Sequence, residues 1–107
     1  MTKKHIGWFA AASALALAAA PAFAQDAQSL LRDKGCLACH QVDSKLVGPA
    51  YKDVAKKYAS RKDAVAYLSK KILEGSTGVW GQIPMPPNTT VKGPEAQTLA
   101  KYILTLK

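Results

Sequence analysis

Two cysteines and a histidine within five residues constrain this chain more than any other part of its sequence. They stand in the segment Cys36-Leu37-Ala38-Cys39-His40. Two thiols at this spacing, followed at once by an imidazole, match the motif that attaches haem c through two thioether bonds. Each thiol can add to one vinyl group of the ring, and the histidine that follows can bind the iron. The motif therefore predicts one covalently bound haem with the chain folded around it.

Three other uses of the two cysteines compete with haem attachment. A disulfide is reasonable in an oxidising compartment, and a Cys-x-x-Cys pair can also work as a dithiol oxidoreductase. The dithiol chemistry normally belongs to a βαβ unit, and the chain offers no strand of convincing length. A zinc site needs a further pair of cysteines or histidines, which the sequence lacks. None of these three uses requires a histidine directly after the second cysteine, whereas the haem attachment motif includes one. Haem attachment is therefore the favoured interpretation.

Residues 1–24 have the pattern of a secretory signal peptide. Two lysines precede an apolar run over residues 6–20, and a small-x-small cleavage site ends at Ala24. The competing interpretation is an uncleaved membrane anchor, but the run is about fifteen residues long, whereas a membrane-spanning helix needs roughly 20. We therefore expect cleavage after Ala24, a mature domain over residues 25–107 and a periplasmic protein.

Cleavage would leave 83 of the 107 residues, and these form a small and basic chain. Without the two lysines of the signal peptide, 13 Lys and Arg remain against 7 Asp and Glu, a net charge of +6. A chain this short has little core and usually needs a stabilising cofactor, metal or disulfide. The positive surface favours acidic protein partners. Nucleic acid is the other common partner of a small basic protein, but an exported chain seldom meets it. We expect no nucleic acid, no stable membrane association and a monomer.

Hydrophobic periodicity predicts four helices and no strand, which is an all-α fold. The helices are expected over residues 26–34, 49–59, 61–74 and from 93 nearly to 107. Asp26 and Ser60 are the expected N-caps of the first and third helices, and Pro49 suits the first turn of the second. Residues 75–92 contain three glycines and three prolines, so they predict a long loop between the third and fourth helices.

Met85 lies in this long loop between Pro84 and Pro86, and it is the second candidate ligand of the iron. After cleavage His40 is the only histidine of the chain and Met85 the only methionine. The common role of a methionine is to fill irregular space in a core. Here the prolines stiffen the loop that carries the thioether. Metal ligation by His40 and Met85 is therefore the prediction, and a thioether ligand raises the reduction potential.

Four further residues are candidates for contacts with the haem or its ligands. A ligating histidine needs an acceptor for its second ring nitrogen, and the carbonyl of Pro49 is a reasonable one. Trp80 could donate its indole N–H to a haem propionate or could be a plain core aromatic. Lys71 could supply charge to the same propionate. Asn88 could donate to the methionine sulfur or could be an ordinary turn residue.

Taken together, the motifs resemble the small bacterial class I c-type cytochromes, in particular the cytochrome c8 (c-551) group. The similarity covers residues 26–107, and its most specific segments are CLACH at 36–40, KLVGPAYKDVA at 45–55, GVWGQIPMPPN at 78–88 and EAQTLAK at 95–101. The resemblance implies the class I cytochrome c fold, with four short helices and a long Met-bearing loop around one covalent haem. It also implies crossed N- and C-terminal helices.

The resemblance also implies roles for the candidate residues. His40 and Met85 would be the axial ligands, Pro49 the acceptor for His40, Trp80 a donor to a propionate, and Asn88 a neighbour of the Met85 sulfur. Where members of the group can have an arginine for the propionate, this chain offers Lys71. A lysine makes a point contact and lacks the fork of a guanidinium.

The function implied is that of a soluble electron carrier and not of an enzyme. With His40 and Met85 on the two axial positions, no site is open for a substrate, and the chain has no second histidine or paired acid to act as a distal base. The resemblance suggests transient docking on acidic patches of respiratory partners such as a nitrite reductase, a terminal oxidase or a peroxidase. Two alternatives stay open: a labile Met85 that lets the iron bind small ligands or react with peroxide, and a chain that never receives haem and works as a dithiol.

Overall fold

The computed structural model describes residues 22–107, and helices make up about half of this part of the chain. They are α1 (Ala22–Asp33), α2 (Tyr51–Lys57), α3 (Ala64–Glu74) and α4 (Gly93–Ile103), with a short 3-10 turn at Cys36–Ala38. Residues 1–21, which hold most of the predicted signal peptide, lie outside the described residues. Within residues 22–107 the β-type pairing is a single bridge between Ser76 and Met85, and no helix there is long and apolar enough to cross a membrane. The prediction of an all-α fold is confirmed.

Helix α4 is central to the packing, because it contacts α1, α2 and α3. Ala27 of α1 and Ala96 and Ala100 of α4 are fully buried, and side chains this small let two helix backbones approach closely. Leu99 is the largest side chain that is fully buried, and burial of a leucine stabilises a fold by about 1.5–3 kcal/mol. Apolar and aromatic side chains at and near the helices form one buried cluster, which includes Leu31, Tyr51, Val54, Tyr58, Leu68, Ile72, Leu99 and Ile103.

The first helix begins earlier than predicted. It starts at Ala22, so Asp26 lies inside α1 and the prediction that it is the N-cap is wrong. The residues before Asp26 continue the helix, and one of them packs against α4. The Phe23 ring packs edge-on against Tyr102 of α4 with 6.4 Å between the ring centroids.

The second helix is shorter than predicted, because Pro49 lies outside it. The carbonyl of Pro49 accepts a hydrogen bond from His40, so the first intrahelical acceptor is instead the carbonyl of Ala50, which is in an extended conformation. The N–H groups of Asp53 and Val54 donate to this carbonyl at 3.0 and 3.1 Å. Pro49 therefore accepts a hydrogen bond from His40 and is not part of the helix.

The third and fourth helices are also shorter than predicted. Helix α3 follows Asp63, so the prediction that Ser60 is its N-cap is wrong. The N–H of Arg61 donates to the carbonyl of Tyr58, three residues back, and this tighter turn interrupts the α-helical pattern. Helix α4 ends at Ile103, and a similar bond from the N–H of Leu106 to the carbonyl of Ile103 closes the C-terminus.

Candidate haem-binding cavity

The two cysteines are held on a tight turn directly after α1. Gly35 ends the helix with a φ of 76°, in the left-handed region that favours glycine. The N–H groups of Cys39 and His40 then both donate to the carbonyl of Cys36, at 3.2 and 3.0 Å. Both thiols are free and partly buried, and burial raises the pKa of the Cys36 thiol. The turn thus holds two thiols and one imidazole together at the end of α1.

The imidazole of His40 is held in place from three sides. Its Nδ1 lies 2.9 Å from the carbonyl oxygen of Pro49; a carbonyl only accepts, so Nδ1 carries the proton and Nε2 keeps a free lone pair. The ring stacks on Tyr51 with 4.9 Å between centroids. On the remaining side Gly48 approaches so closely that a Cβ there would lie 2.6 Å from Cε1 of the histidine. Such a histidine is oriented to bind a metal through Nε2.

Met85 is anchored to the end of α3 by backbone bonds. Its N–H donates to the carbonyl of Ser76 at 2.9 Å, and its carbonyl accepts from the N–H of Ser76 at 2.9 Å. Three residues later, the N–H of Asn88 donates to the carbonyl of Ile72 at 3.0 Å. Gly75 has no side chain in the way, because a Cβ at that position would lie 2.5 Å from the carbonyl oxygen of Met85. The loop that carries the thioether therefore has a defined path.

One cavity of about 410 Å³ brings the candidate residues together. This volume is within the usual range for a pocket that holds a small organic cofactor. The eight residues predicted from the sequence all line it: Cys36, Cys39, His40, Pro49, Lys71, Trp80, Met85 and Asn88. The lining also includes apolar core side chains such as Leu31, Val54, Leu68 and Leu99. Two thiols, an imidazole and a thioether around an apolar space are the groups that a covalently attached haem requires.

Trp80 and Lys71 line one part of this cavity with a pair of tyrosines. The Trp80 ring meets the edge of Tyr58 at 6.4 Å between centroids, and Tyr58 lies 5.1 Å from Tyr67. The ammonium of Lys71 lies 5.1 Å from the Tyr67 ring. Burial raises the pKa of the Tyr58 hydroxyl to about 12. Both predicted propionate donors therefore reach the cavity, and their role there stays a prediction.

Asn88 uses its side chain to join its own loop to the segment before the cysteines. Its Nδ2 donates to the carbonyl of Lys34 at 3.0 Å, just before the cysteines. Its Oδ1 accepts from the N–H and the hydroxyl of Thr90, at 3.1 and 2.8 Å. One hydrogen of the amide remains for another acceptor, and donation to the Met85 sulfur stays a prediction. The link to Lys34 ties the cysteine turn to the methionine loop.

Two residues matter more to the site than their sequence context indicates. Tyr51 fits the apolar stripe of α2 and was expected only in the core, yet its ring stacks on His40. Gly75 was expected only as the end of α3, yet it makes room for the backbone of Met85. The tyrosine directly follows Gly-Pro-Ala, and that position next to the Pro49 acceptor is the one signal that could have placed it near the histidine.

Comparison with known proteins finds the same family throughout. The model of the cytochrome c family matches residues 24–107. Cytochrome c-552 of Nitrosomonas europaea is 53% identical over 107 residues, which is all of both chains. Cytochrome c-551 of Pseudomonas aeruginosa is 56% identical over 91 residues, covering 85% of this chain and 86% of that one. The crystal structure of wild-type Nitrosomonas europaea cytochrome c552 matches with a TM-score of 0.74 and 57% identity, covering 75% of this chain and 99% of that one.

Fold and cavity define a small all-α protein built around a covalently attached haem. The chain belongs to the cytochrome c family, and its relatives confirm the resemblance to small bacterial class I c-type cytochromes. Its cofactor is one covalently bound haem c, and Cys36 and Cys39 match the motif that attaches it. It is an electron carrier and not an enzyme, and as such it meets its redox partners transiently.

Proposed function

We propose that this protein is a soluble periplasmic electron carrier whose low-spin haem iron is bound by Nε2 of His40 and the sulfur of Met85. The observation that supports the ligand pair is that both side chains line the cavity that the two cysteines also line. When bound, the haem supplies a one-electron couple between ferric and ferrous iron. A thioether ligand favours the ferrous state, so Met85 raises the potential at which an electron is accepted.

The remaining candidates hold the ligands and the cofactor in place. Pro49 keeps the proton of His40 on Nδ1, which leaves Nε2 for the iron. Trp80 donates its indole N–H to a propionate, and Lys71 adds a positive charge beside it. Asn88 donates its second amide hydrogen to the Met85 sulfur while the first stays on the carbonyl of Lys34. Ligands fixed in both oxidation states keep reorganisation on electron transfer small.

The location follows from the N-terminal segment. Residues 1–24 are a signal peptide that is removed on export, and residues 25–107 are the mature cytochrome domain. The match to the family model from residue 24 onward supports this boundary. Cleavage after Ala24 would shorten α1 and remove the contact of Phe23 with Tyr102. The mature helix keeps the hydrogen bond that Gln28 donates to the Tyr102 hydroxyl at 3.0 Å.

The partners proposed are acidic redox proteins that bind briefly. The exposed lysines of α2, Lys56 and Lys57, belong to the positive surface of a chain whose net charge after cleavage is +6. Such a surface speeds encounter with acidic patches at low salt and is screened at high salt. A nitrite reductase, a terminal oxidase or a peroxidase would suit this role. Nucleic acid and stable membrane binding are not part of the proposal, and the protein acts as a monomer.

A spectrum of the exported protein tests the ligand pair most directly. Haem that stays with the chain through denaturation would support thioether attachment, and the weak far-red band of ferric iron with a methionine ligand would support Met85. Carbon monoxide added to the reduced protein at neutral pH should leave the spectrum unchanged. A rapid change with carbon monoxide would favour the alternative in which Met85 is labile. An exported protein without covalent haem, made beside intact maturation machinery, would favour the dithiol alternative.

A further inference from the structure

We infer that Lys57 positions the indole of Trp80 at the edge of the haem cavity, and this rests on the proposed role of Trp80 as a propionate donor. Lys57 is the last residue of α2. Its ammonium lies 4.6 Å from the centroid of the Trp80 ring and 5.8 Å from that of Tyr58. Trp80 and Tyr58 line the cavity and Lys57 does not. The lysine therefore contacts the cavity wall from outside, through the indole.

The backbone on either side of Trp80 does little to fix the orientation of its side chain. Gly78 and Gly81 flank the tryptophan with φ angles of 76° and 117°. Nothing lies within 4 Å of the position that a Cβ would take at either glycine, so this part of the loop is open. The Trp80 side chain is itself partly exposed. Its orientation depends on the end of α2, where Tyr58 meets the ring at 76° and Lys57 lies over it.

The charge of Lys57 suits this role. A cation over an indole face is attracted by the negative face of the ring, and tryptophan is the best of the aromatic side chains for this contact. The contact uses the face of the ring and leaves the indole N–H free to donate from the edge. Among residues 22–107 the ion pairs involve Lys34, Lys52 and Arg61. The Lys57 ammonium takes part in none of these ion pairs and contacts the aromatic rings of Trp80 and Tyr58.

Hydrogen exchange of the Trp80 indole proton in the reduced holoprotein tests the inference. Nuclear magnetic resonance resolves this proton, because Trp80 is the only tryptophan after residue 24. Loss of a cation–aromatic contact of the usual strength should speed exchange about 2- to 5-fold in Lys57→Met. Lys57→Arg, which keeps a cation, should restore the wild-type rate. Lys56→Met, the neighbouring exposed lysine, is the matched control and should leave the rate unchanged. A wild-type rate in Lys57→Met would overturn the inference.

Midpoint potentials separate positioning from a simple effect of charge. Lys57→Met is compared in the wild-type background and in Trp80→Phe, which lacks the indole N–H. If the lysine acts through the indole, its effect on the potential should fall by at least half in the Trp80→Phe protein. An equal shift in both backgrounds would mean that the charge acts alone, and would overturn the inference. A wild-type indole proton that exchanges as fast as in denatured protein would instead refute the proposed role of Trp80.

Discussion

Gly75 and Met85 approach each other so closely that the methionine loop can follow its path only if residue 75 has no side chain. A Cβ on Gly75 would lie 2.5 Å from the carbonyl oxygen of Met85 and 2.9 Å from the nitrogen of Pro87. Gly75 also has a φ of 79° and a ψ of −178°, a combination that is essentially confined to glycine. The glycine that ends α3 therefore also sets where the proposed ligand lies.

Gly75→Ala should displace the Met85 loop and weaken the proposed bond from the Met85 sulfur to the iron. This backbone conformation costs a residue with a side chain about 1–3 kcal/mol, and the crowding at Met85 adds about 1–3 kcal/mol. We expect a weaker far-red band in the ferric protein and a lower midpoint for denaturant unfolding. Gly78→Ala is the control, since Gly78 has a φ of 76° with nothing within 4 Å of a Cβ. Gly78→Ala should be destabilised only by the positive φ of its backbone and should keep the far-red band. Equal loss of the band in both variants would contradict the role given to Gly75.

Gly48→Ala should disturb the other axial side. A Cβ there would lie 2.6 Å from Cε1 of His40 and 2.9 Å from Nδ1, so the imidazole would have to shift, which should disturb its hydrogen bond to Pro49. Crowding of this kind costs about 1–3 kcal/mol, measured as the free energy of unfolding in denaturant at constant m-value. Gly93→Ala, where a Cβ would meet nothing within 4 Å, is the control and should be neutral or slightly stabilising. If Gly48→Ala proved as stable as Gly93→Ala, the His40 ring would have room for a Cβ at residue 48.

Met85→Ala should remove the proposed second axial ligand and leave haem attachment intact. We expect loss of the far-red band, a lower reduction potential and binding of carbon monoxide to the reduced protein, because one axial position becomes open. Lys56→Glu changes the charge of the exposed face of α2 and should leave the band and the potential nearly unchanged. Its effect should appear as slower electron transfer to an acidic partner at low salt. A similar drop in potential in both variants would contradict the separation between ligand and docking surface.

Glu95 should stabilise the start of α4 at neutral pH and lose this effect in acid. Its Oε1 accepts a hydrogen bond from the N–H of Lys92 at 2.9 Å, and Lys34 lies 3.7 Å away. The pKa of this carboxyl is lowered from its usual 4.5. The hydrogen bond from the Lys92 N–H lowers it most, and the positive charges of Lys34 and Lys92 lower it further. Because the folded protein has the lower pKa, the contribution is fully present above about pH 4.5 and is lost as the pH falls through the folded value.

The measurement is denaturant unfolding of wild type and Glu95→Gln across the acid range. Glutamine can still accept the hydrogen bond from the helix N-terminus, so the variant isolates the effect of the charge. The wild type should be the more stable protein at pH 7, and the two curves should converge below pH 4. A constant difference at every pH would show that the carboxylate charge has no part in the cap.

The candidate residues could be chosen from the sequence because the motifs that carry them are short, and the structure places all of them around one cavity. Cys36, Cys39 and His40 lie within five residues, and cleavage at Ala24 would leave Met85 as the only methionine, so spacing and elimination were enough to choose these candidates, whose roles stay predictions. The helix ends could not be predicted in the same way. Pro49 has the sequence of a helix start, but it lies outside α2 because its carbonyl accepts from the histidine nine residues earlier. The sequence offered Pro49 both as a helix start and as the acceptor for His40; local helix preferences describe only the first role, and the structure shows the second.

By itself the sequence determined the chemical groups of this protein: a haem c attachment motif with Cys36 and Cys39, an imidazole at His40, a thioether in a proline-bounded loop and an all-α scaffold. These depend on residue type and short spacing, and both can be read along the chain. Only the tertiary structure decided how the groups are held. The contact of Gly75 with Met85, the stacking of Tyr51 on His40 and the place of Lys57 over Trp80 each join residues that are separated along the chain, and they exist because the helices pack as they do.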